Sequence, residues 1–259
     1  YLEYFPGGVL RTEYVEQLDG LGFGISPILM LHTVHDIAWT ISENTNFYAD
    51  SINVPCFMIG GWYDHTIKFM LEFFNGLRTQ SPLSVRDKHR LLMGPWTHGG
   101  IGRLVQGELS YANALHWSDS LAMMFFDFHL RTISNGWDIT PFVQYFQMGD
   151  DIWHTDISWP LVSSSNTNFY FHTDGSLDDL YPVDSSGSRQ LIYDPSDPSP
   201  TIGGPTLRTD LVQGPYDQRD SVESRNDILI YTTDILTQDL IMKGAAIVHL
   251  KISSDKTDT

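Results

Sequence analysis

The spacing of apolar and polar residues changes character twice along the 259-residue chain. Residues 1 to about 45 carry apolar positions at helical spacing. Thr12, followed by Glu13, Tyr14, Val15 and Leu18, predicts a capped amphipathic start. Leu31, Val34, Ile37, Ala38 and Ile41 predict a second helix over 28–41. Two unbroken apolar runs follow, at 54–60 and 90–93. A run without polar alternation is what a strand covered on both faces looks like, as in a parallel sheet flanked by helices. Between the runs, Ile67, Met70, Leu71, Phe74 and Leu77 share one face of a helix predicted over 66–79, and 81–88 reads as a loop. A glycine-rich loop at 99–107 precedes a helix through Trp117, Leu121, Met124, Phe125 and Phe128. A further strand at 142–148 ends in a Gly149-Asp150 turn. Beyond Trp159-Pro160 the pattern becomes short strands between Pro, Ser and Gly clusters. There Ala246, Val248, Leu250 and Ile252 alternate with Ile247, His249 and Lys251, the period of a half-buried strand. An α/β region followed by a β-sandwich is the expectation.

Composition narrows the function. A formal charge of −17 excludes nucleic acid and anionic membranes as partners, since both need basic surface. No window approaches the ~20 apolar residues that span a bilayer. The single cysteine, Cys56, falls in the first buried run, which excludes a disulfide framework and reads as packing.

Chemistry gathers where the two apolar runs end. The sequence Gly60-Gly-Trp-Tyr-Asp64 closes the first, and Gly94-Pro-Trp-Thr-His98-Gly-Gly follows the second. Gly60, Gly61 and Gly94 would let the chain turn sharply on leaving each strand. Asp64 and His98 would then meet beyond the carboxyl ends of adjacent parallel strands, where open α/β sheets bind ligands. An Asp and then a His on such loops is the second half of a Ser-Asp-His relay. On residue types alone, the plainer reading of a capping Asp and a hydrogen-bonded core His is preferred. His32, His35 and Asp36 offer metal donors, but without a fourth ligand at suitable spacing they are set aside. Asp150-Asp151 and Asp178-Asp179 lack the alternating oxygens of a calcium loop and read as turns. No cofactor or metal is expected.

The two glycine-rich motifs resemble the acid and histidine motifs of the CocE/NonD (cocaine esterase-like) hydrolases, relatives of the X-Pro dipeptidyl-peptidases and α-amino-acid ester hydrolases. The resemblance continues through Met148-Gly-Asp-Asp-Ile-Trp153, Trp159-Pro160, the 194–204 run, Gly214-Pro-Tyr-Asp-Gln218, 225–232 and 253–258. It implies three parts: the end of a helical cap over 1–45, the C-terminal half of an α/β-hydrolase domain over 46–160, and a jelly roll over 161–259 that stops early. It implies a serine hydrolase acting on an ester or amide, with Asp64 and His98 as acid and base. Met30 and Trp39 would lie in the cap above the pocket. By the same resemblance, Thr66 and Leu207, the latter on the 203–207 loop, would line the substrate pocket. The α-amino-acid ester hydrolases carry acidic residues just after the catalytic Asp. Thr66 and Ile67 stand there here, so a neutral ester or amide is expected, with X-Pro dipeptidyl-peptidase activity resting on family alone.

One part of the relay is missing. No Gly-x-Ser-x-Gly elbow occurs in the 259 residues. The nearest string, Gly24-Ile-Ser26-Pro-Ile28, lacks the second glycine, and Pro27 removes the N–H owed to the oxyanion. The chain is therefore expected to be a fragment, inactive alone, its nucleophile in an upstream half or companion chain, with homo-oligomerisation left open. The competing reading is a degenerate hydrolase whose sandwich binds a ligand or partner.

Overall fold

The computed structural model describes residues 4–5, 10–39, 48–161, 165–183, 187–207 and 210–256. At its centre is a four-stranded mixed sheet. It comprises β1 (Phe57–Tyr63), β2 (Arg90–Thr97), β5 (Val143–Gln147) and β6 (Ile152–Asp156), side by side in that order. β1, β2 and β5 run parallel, and β6 returns antiparallel to β5. Helix α3 (Ile67–Gln80) connects β1 to β2. Helix α5 (Trp117–Arg131) lies on the route from β2 to β5, after the small hairpin β3 (Val105–Gln106) and β4 (Leu109–Ser110). A one-turn helix, α4 (Leu83–Arg86), interrupts the stretch expected to be loop.

Side-chain alternation divides the core in two. Leu92 and Trp96 of β2 and Phe146 of β5 pack on one face with Leu121, Met124, Phe125 and Phe128 of α5. Leu91 and Met93 of β2, with Val143 and Tyr145 of β5, pack on the other with Ile67, Met70, Leu71 and Phe74 of α3. Every residue of β2 is buried. That is why its sequence shows no alternation: both faces must be apolar. The expected two-sided α/β arrangement is present.

The glycines serve a purpose other than the expected turn. Gly60, Gly61 and Gly94 all lie inside strands, and Gly61 is paired with Gly94. A Cβ on Gly61 would sit 1.9 Å from the Trp96 carbonyl oxygen, and one on Gly94 would overlap the Trp96 ring at 2.3 Å. The missing side chains admit a buried indole and a close backbone. As a result β2 runs on past Met93 to Thr97 and delivers His98 directly from its end. Cys56 precedes β1 rather than lying within it and is half-buried.

The N-terminal region departs further. Helix α1 (Thr12–Gly20) begins at the expected residue, but Arg11 holds the N-cap position and Thr12 is already helical. Helix α2 (Ser26–Leu31) ends early, the chain is helical again over 37–39, and the end of the expected stretch, 40–41, lies outside the described residues. The chain leaves the helix at His32, whose carbonyl accepts from the Trp39 indole, while Asp36 accepts from the Ala38 amide. These polar contacts compete with helix continuation. Trp39 joins a separate small core with Phe5, Val15 and Leu29.

The C-terminal part shows little of the expected sandwich. Among the described residues its strands are β7 (Tyr170–Phe171) and β8 (Leu177–Asp178), with isolated bridges Ser176–Thr232 and Gly204–Gly214. The predicted strand at 246–252 does not form. No neighbour among the described residues offers it a ladder, and Ile247, Val248, Leu250 and Ile252 are exposed.

Candidate functional site

β1 and β2 are adjacent and parallel, so their C-terminal ends set Asp64 and His98 side by side. His98 Nδ1 lies 3.0 Å from Asp64 Oδ2. Asp64 is 5% exposed, whereas the His98 side chain is half open to solvent. The Thr66 amide and hydroxyl donate to the other oxygen, Asp64 Oδ1, at 2.9 and 2.8 Å. Burial alone would raise the Asp64 pKa. The Thr66 and His98 hydrogen bonds outweigh it, so the group titrates below its usual range and stays an anion at neutral pH. Asp64 thus both ties the turn into α3 and holds the imidazole, uniting two readings that the sequence left as alternatives.

This geometry has a chemical consequence. A carboxylate accepts only, so the shared proton belongs to His98 Nδ1 and the lone pair to Nε2. An imidazole in that tautomer can take a proton at Nε2, and the anion behind it stabilises the cation that forms.

His98 is held from both sides by Gln106, which is 1% exposed and which sequence reasoning did not single out. Gln106 Oε1 accepts from the Thr97 amide at 2.9 Å, and Gln106 Nε2 donates to the carbonyls of Gly100 and Arg103 at 2.7 and 3.1 Å. The same side chain therefore fixes the residue before His98 and the loop after it. A lone glutamine between Val105 and Gly107 gives no local sign of this. His65 was also missed. Its Nδ1 is 3.2 Å from Asp64 Oδ1, and its ring stands edge-on to His98 at 5.1 Å.

The remaining candidates are placed as follows. Thr66 spends its hydroxyl on Asp64 at the N-cap of α3. Leu207 is 50% exposed. The approach to the histidine loop comes instead through Gly214, where a Cβ would lie 3.2 Å from Thr97 Cγ2. Gly204 exchanges two backbone hydrogen bonds with Gly214, and the Glu108 amide donates to the Pro215 carbonyl at 2.9 Å. Gly107, at φ +54°, leaves room for that carbonyl, 2.3 Å from where a Cβ would stand. The Gly203-Gly204 and Gly214-Pro-Tyr-Asp-Gln motifs are thus where the C-terminal part docks behind His98. The Ser26 hydroxyl donates to Asp19, which also accepts from the Ile25 amide. Ser26 thereby serves the start of α2. Met30 is exposed on α2. His32 pairs with Asp36 at 2.6 Å, Asp150 with His154 at 3.1 Å, and Asp178 with His172 at 2.9 Å.

Comparison with known proteins gives this geometry its context. Residues 11–100 match the X-Pro dipeptidyl-peptidase (S15) family, and residues 135–259 match the X-Pro dipeptidyl-peptidase C-terminal non-catalytic domain. A cocaine esterase from Rhodococcus sp. (strain MB1 Bresler) is 31% identical over 216 residues, covering 79% of this chain and 36% of the relative. The chain thus spans about a third of that protein's length. The crystal structure of an aminopeptidase from a marine sediment Thaumarchaeota archaeon superposes with a TM-score of 0.68 at 22% identity, over 84% of this chain and 38% of that one. A CocE/NonD family hydrolase from Staphylococcus aureus aligns more loosely, at TM-score 0.43 and 18% identity, over 61% and 26%. Matched by the X-Pro dipeptidyl-peptidase (S15) family, by the C-terminal non-catalytic domain of those enzymes and by a cocaine esterase, the chain belongs to the CocE/NonD, X-Pro dipeptidyl-peptidase-like hydrolase family.

Proposed function

We propose that this chain supplies the acid and base of a serine hydrolase that cleaves a neutral ester or amide through an acyl-enzyme. One observation carries the reading: the 3.0 Å contact from His98 Nδ1 to a buried, anionic Asp64, with the imidazole open on its other side. A lone core histidine would not need an ionised carboxylate at its back and solvent at its front.

In this mechanism His98 Nε2 takes the proton of a serine hydroxyl as that oxygen attacks the substrate carbonyl. Asp64 stabilises the imidazolium, which then returns the proton to the departing alcohol or amine. Water repeats the cycle on the acyl-enzyme. The nucleophile belongs to a Gly-x-Ser-x-Gly elbow outside these 259 residues, in an upstream segment or companion chain. In the same proposal, 1–45 closes a helical cap, 46–160 completes an α/β-hydrolase domain, and 161–259 belongs to a jelly roll. Thr66 positions Asp64 rather than touching substrate. The likeness to the Rhodococcus cocaine esterase favours an ester, and the match to the X-Pro dipeptidyl-peptidase family keeps an amide in view.

Two measurements test the reading. A fluorophosphonate serine probe followed by intact mass should leave the purified chain unmodified. A single adduct would place the nucleophile inside the 259 residues and overturn the division of labour. In the complete enzyme, His98→Ala should lower kcat by several orders of magnitude, about 10⁴-fold or more. Unchanged ester and amide turnover would remove His98 from the mechanism.

A further inference from the structure

The geometry points to a transition-metal site built from Asp64, His65 and His98, one that takes a divalent ion of the zinc class. One donor atom from each of the three lies within 4.8 Å of the other two. The two oxygens of Asp64 face one ring each: Oδ2 lies 3.0 Å from His98 Nδ1 and Oδ1 lies 3.2 Å from His65 Nδ1. Donors bound to one Zn²⁺ at about 2.0–2.2 Å stand roughly 3.3 Å apart in a tetrahedron, so a set already within 4.8 Å has to draw in by no more than about 1.5 Å. Two imidazoles and a carboxylate with one side open to water form a three-ligand site that suits zinc, cobalt or nickel. The open side is real, because His65 and His98 side chains are 36% and 51% exposed.

The local chemistry favours this place over the other histidine–aspartate pairs. His32–Asp36, His116–Asp119, His154–Asp150 and His172–Asp178 each bring one imidazole to one carboxylate. Among the described residues, three donors converge only around Asp64. Asp64 is buried and fixed by the Thr66 amide and hydroxyl, so one ligand is organised before the ion arrives. The net charge of −17 raises the local concentration of cations.

Binding has a defined effect on His98. The metal takes the Nδ1 lone pair, and the proton that Nδ1 carried moves to Nε2, with no net proton lost from the neutral ring. Nε2 then has no lone pair for a serine proton. Under the triad reading, on which this consequence alone rests, the ion silences the base by holding its Nδ1. His65, the neighbour of the acid, is what turns a two-group relay into a three-donor site.

Direct binding decides the matter without any catalytic assay. The purified chain is titrated with Zn²⁺ by calorimetry and with Co²⁺ by visible absorption, in a non-chelating buffer at neutral pH. One ion per chain is expected, with cobalt ligand-field bands at saturation. His65→Ala and His65→Asn should each weaken Zn²⁺ binding by at least ~10-fold, while His116→Ala should bind as the native chain does. Equal affinity of the native chain and both His65 variants would overturn the site. So would a native chain that shows no saturable binding. Either failure leaves the hydrolase reading standing, because that reading is tested by His98→Ala turnover.

Discussion

β2 and the 246–252 segment are both strongly apolar, yet they meet opposite fates. All eight residues of β2 are buried, whereas Ile247 and Ile252 of the second segment are 77% and 88% exposed. The difference is not in local preference, since 246–252, with Ile247, Val248 and Ile252, favours a strand more than β2, which contains Gly94 and Pro95. β2 has β1 hydrogen-bonded on one side and β5 on the other, with α3 and α5 over its faces. Segment 246–252 has the alternation of a strand but, among the described residues, no strand beside it. Burial of apolar surface stabilises only what can be covered, so a periodic pattern specifies a face and leaves the partner unstated.

The sharpest way to break the comparison is at Trp96. It is fully buried between Gly94 and the α5 side of the core, within 5.8 Å of the Trp153 ring centroid. Trp96→Ala should cost about 3–5 kcal/mol, read as a lower urea midpoint with an unchanged slope. Its indole Nε1 has no hydrogen-bond partner among the described residues, so that cost is packing alone, and Trp96→Phe should recover most of it. Equal losses for the two variants would mean that ring volume is not what β2 stabilises.

A comparable effect is expected at Gln106, where the buried core meets the site. Gln106→Leu keeps the size but leaves the Thr97 amide and the Gly100 carbonyl without the partner they have now. Each buried orphan costs about 1–3 kcal/mol. Because Gln106 positions the loop around His98 without touching it, the complete enzyme should lose kcat while KM holds. A variant that loses stability but keeps full kcat would make Gln106 a structural clamp only.

What could be read from the sequence follows the same divide. The two-sided strands, α3, α5 and the meeting of Asp64 with His98 were legible, because each rests on local periodicity plus one parallel pairing. β6 was not, since Ile152-Trp-His-Thr-Asp156 shows no alternation and forms by returning against β5. Nor was the purpose of Gly61 and Gly94, which depends on where the Trp96 ring goes. His65 and Gln106 escaped for a related reason. Gln106 matters for what it touches across 9 residues or fewer of loop, and His65 for standing beside Asp64 and the distant His98 ring, and no periodic signal marks such contacts. The helix predicted over 28–41 is interrupted at 32–36, where His32 and Asp36 take other hydrogen bonds, and the chain is helical again over 37–39.

The smallest predicted effect probes the other half of the comparison. Ile252 is 88% exposed, so replacing it removes little surface that folding had withdrawn from water. Ile252→Ala should change the unfolding free energy by no more than about 0.5 kcal/mol. The contrast with Trp96→Ala would then be at least about sixfold between two large apolar residues. A loss of ~2 kcal/mol or more at Ile252 would mean that the segment is covered in solution, by a second copy or by a companion chain that supplies the neighbouring strand. Repeating the measurement over a hundredfold range of protein concentration separates these cases, because stability that depends on a second copy rises with concentration and stability within one chain does not.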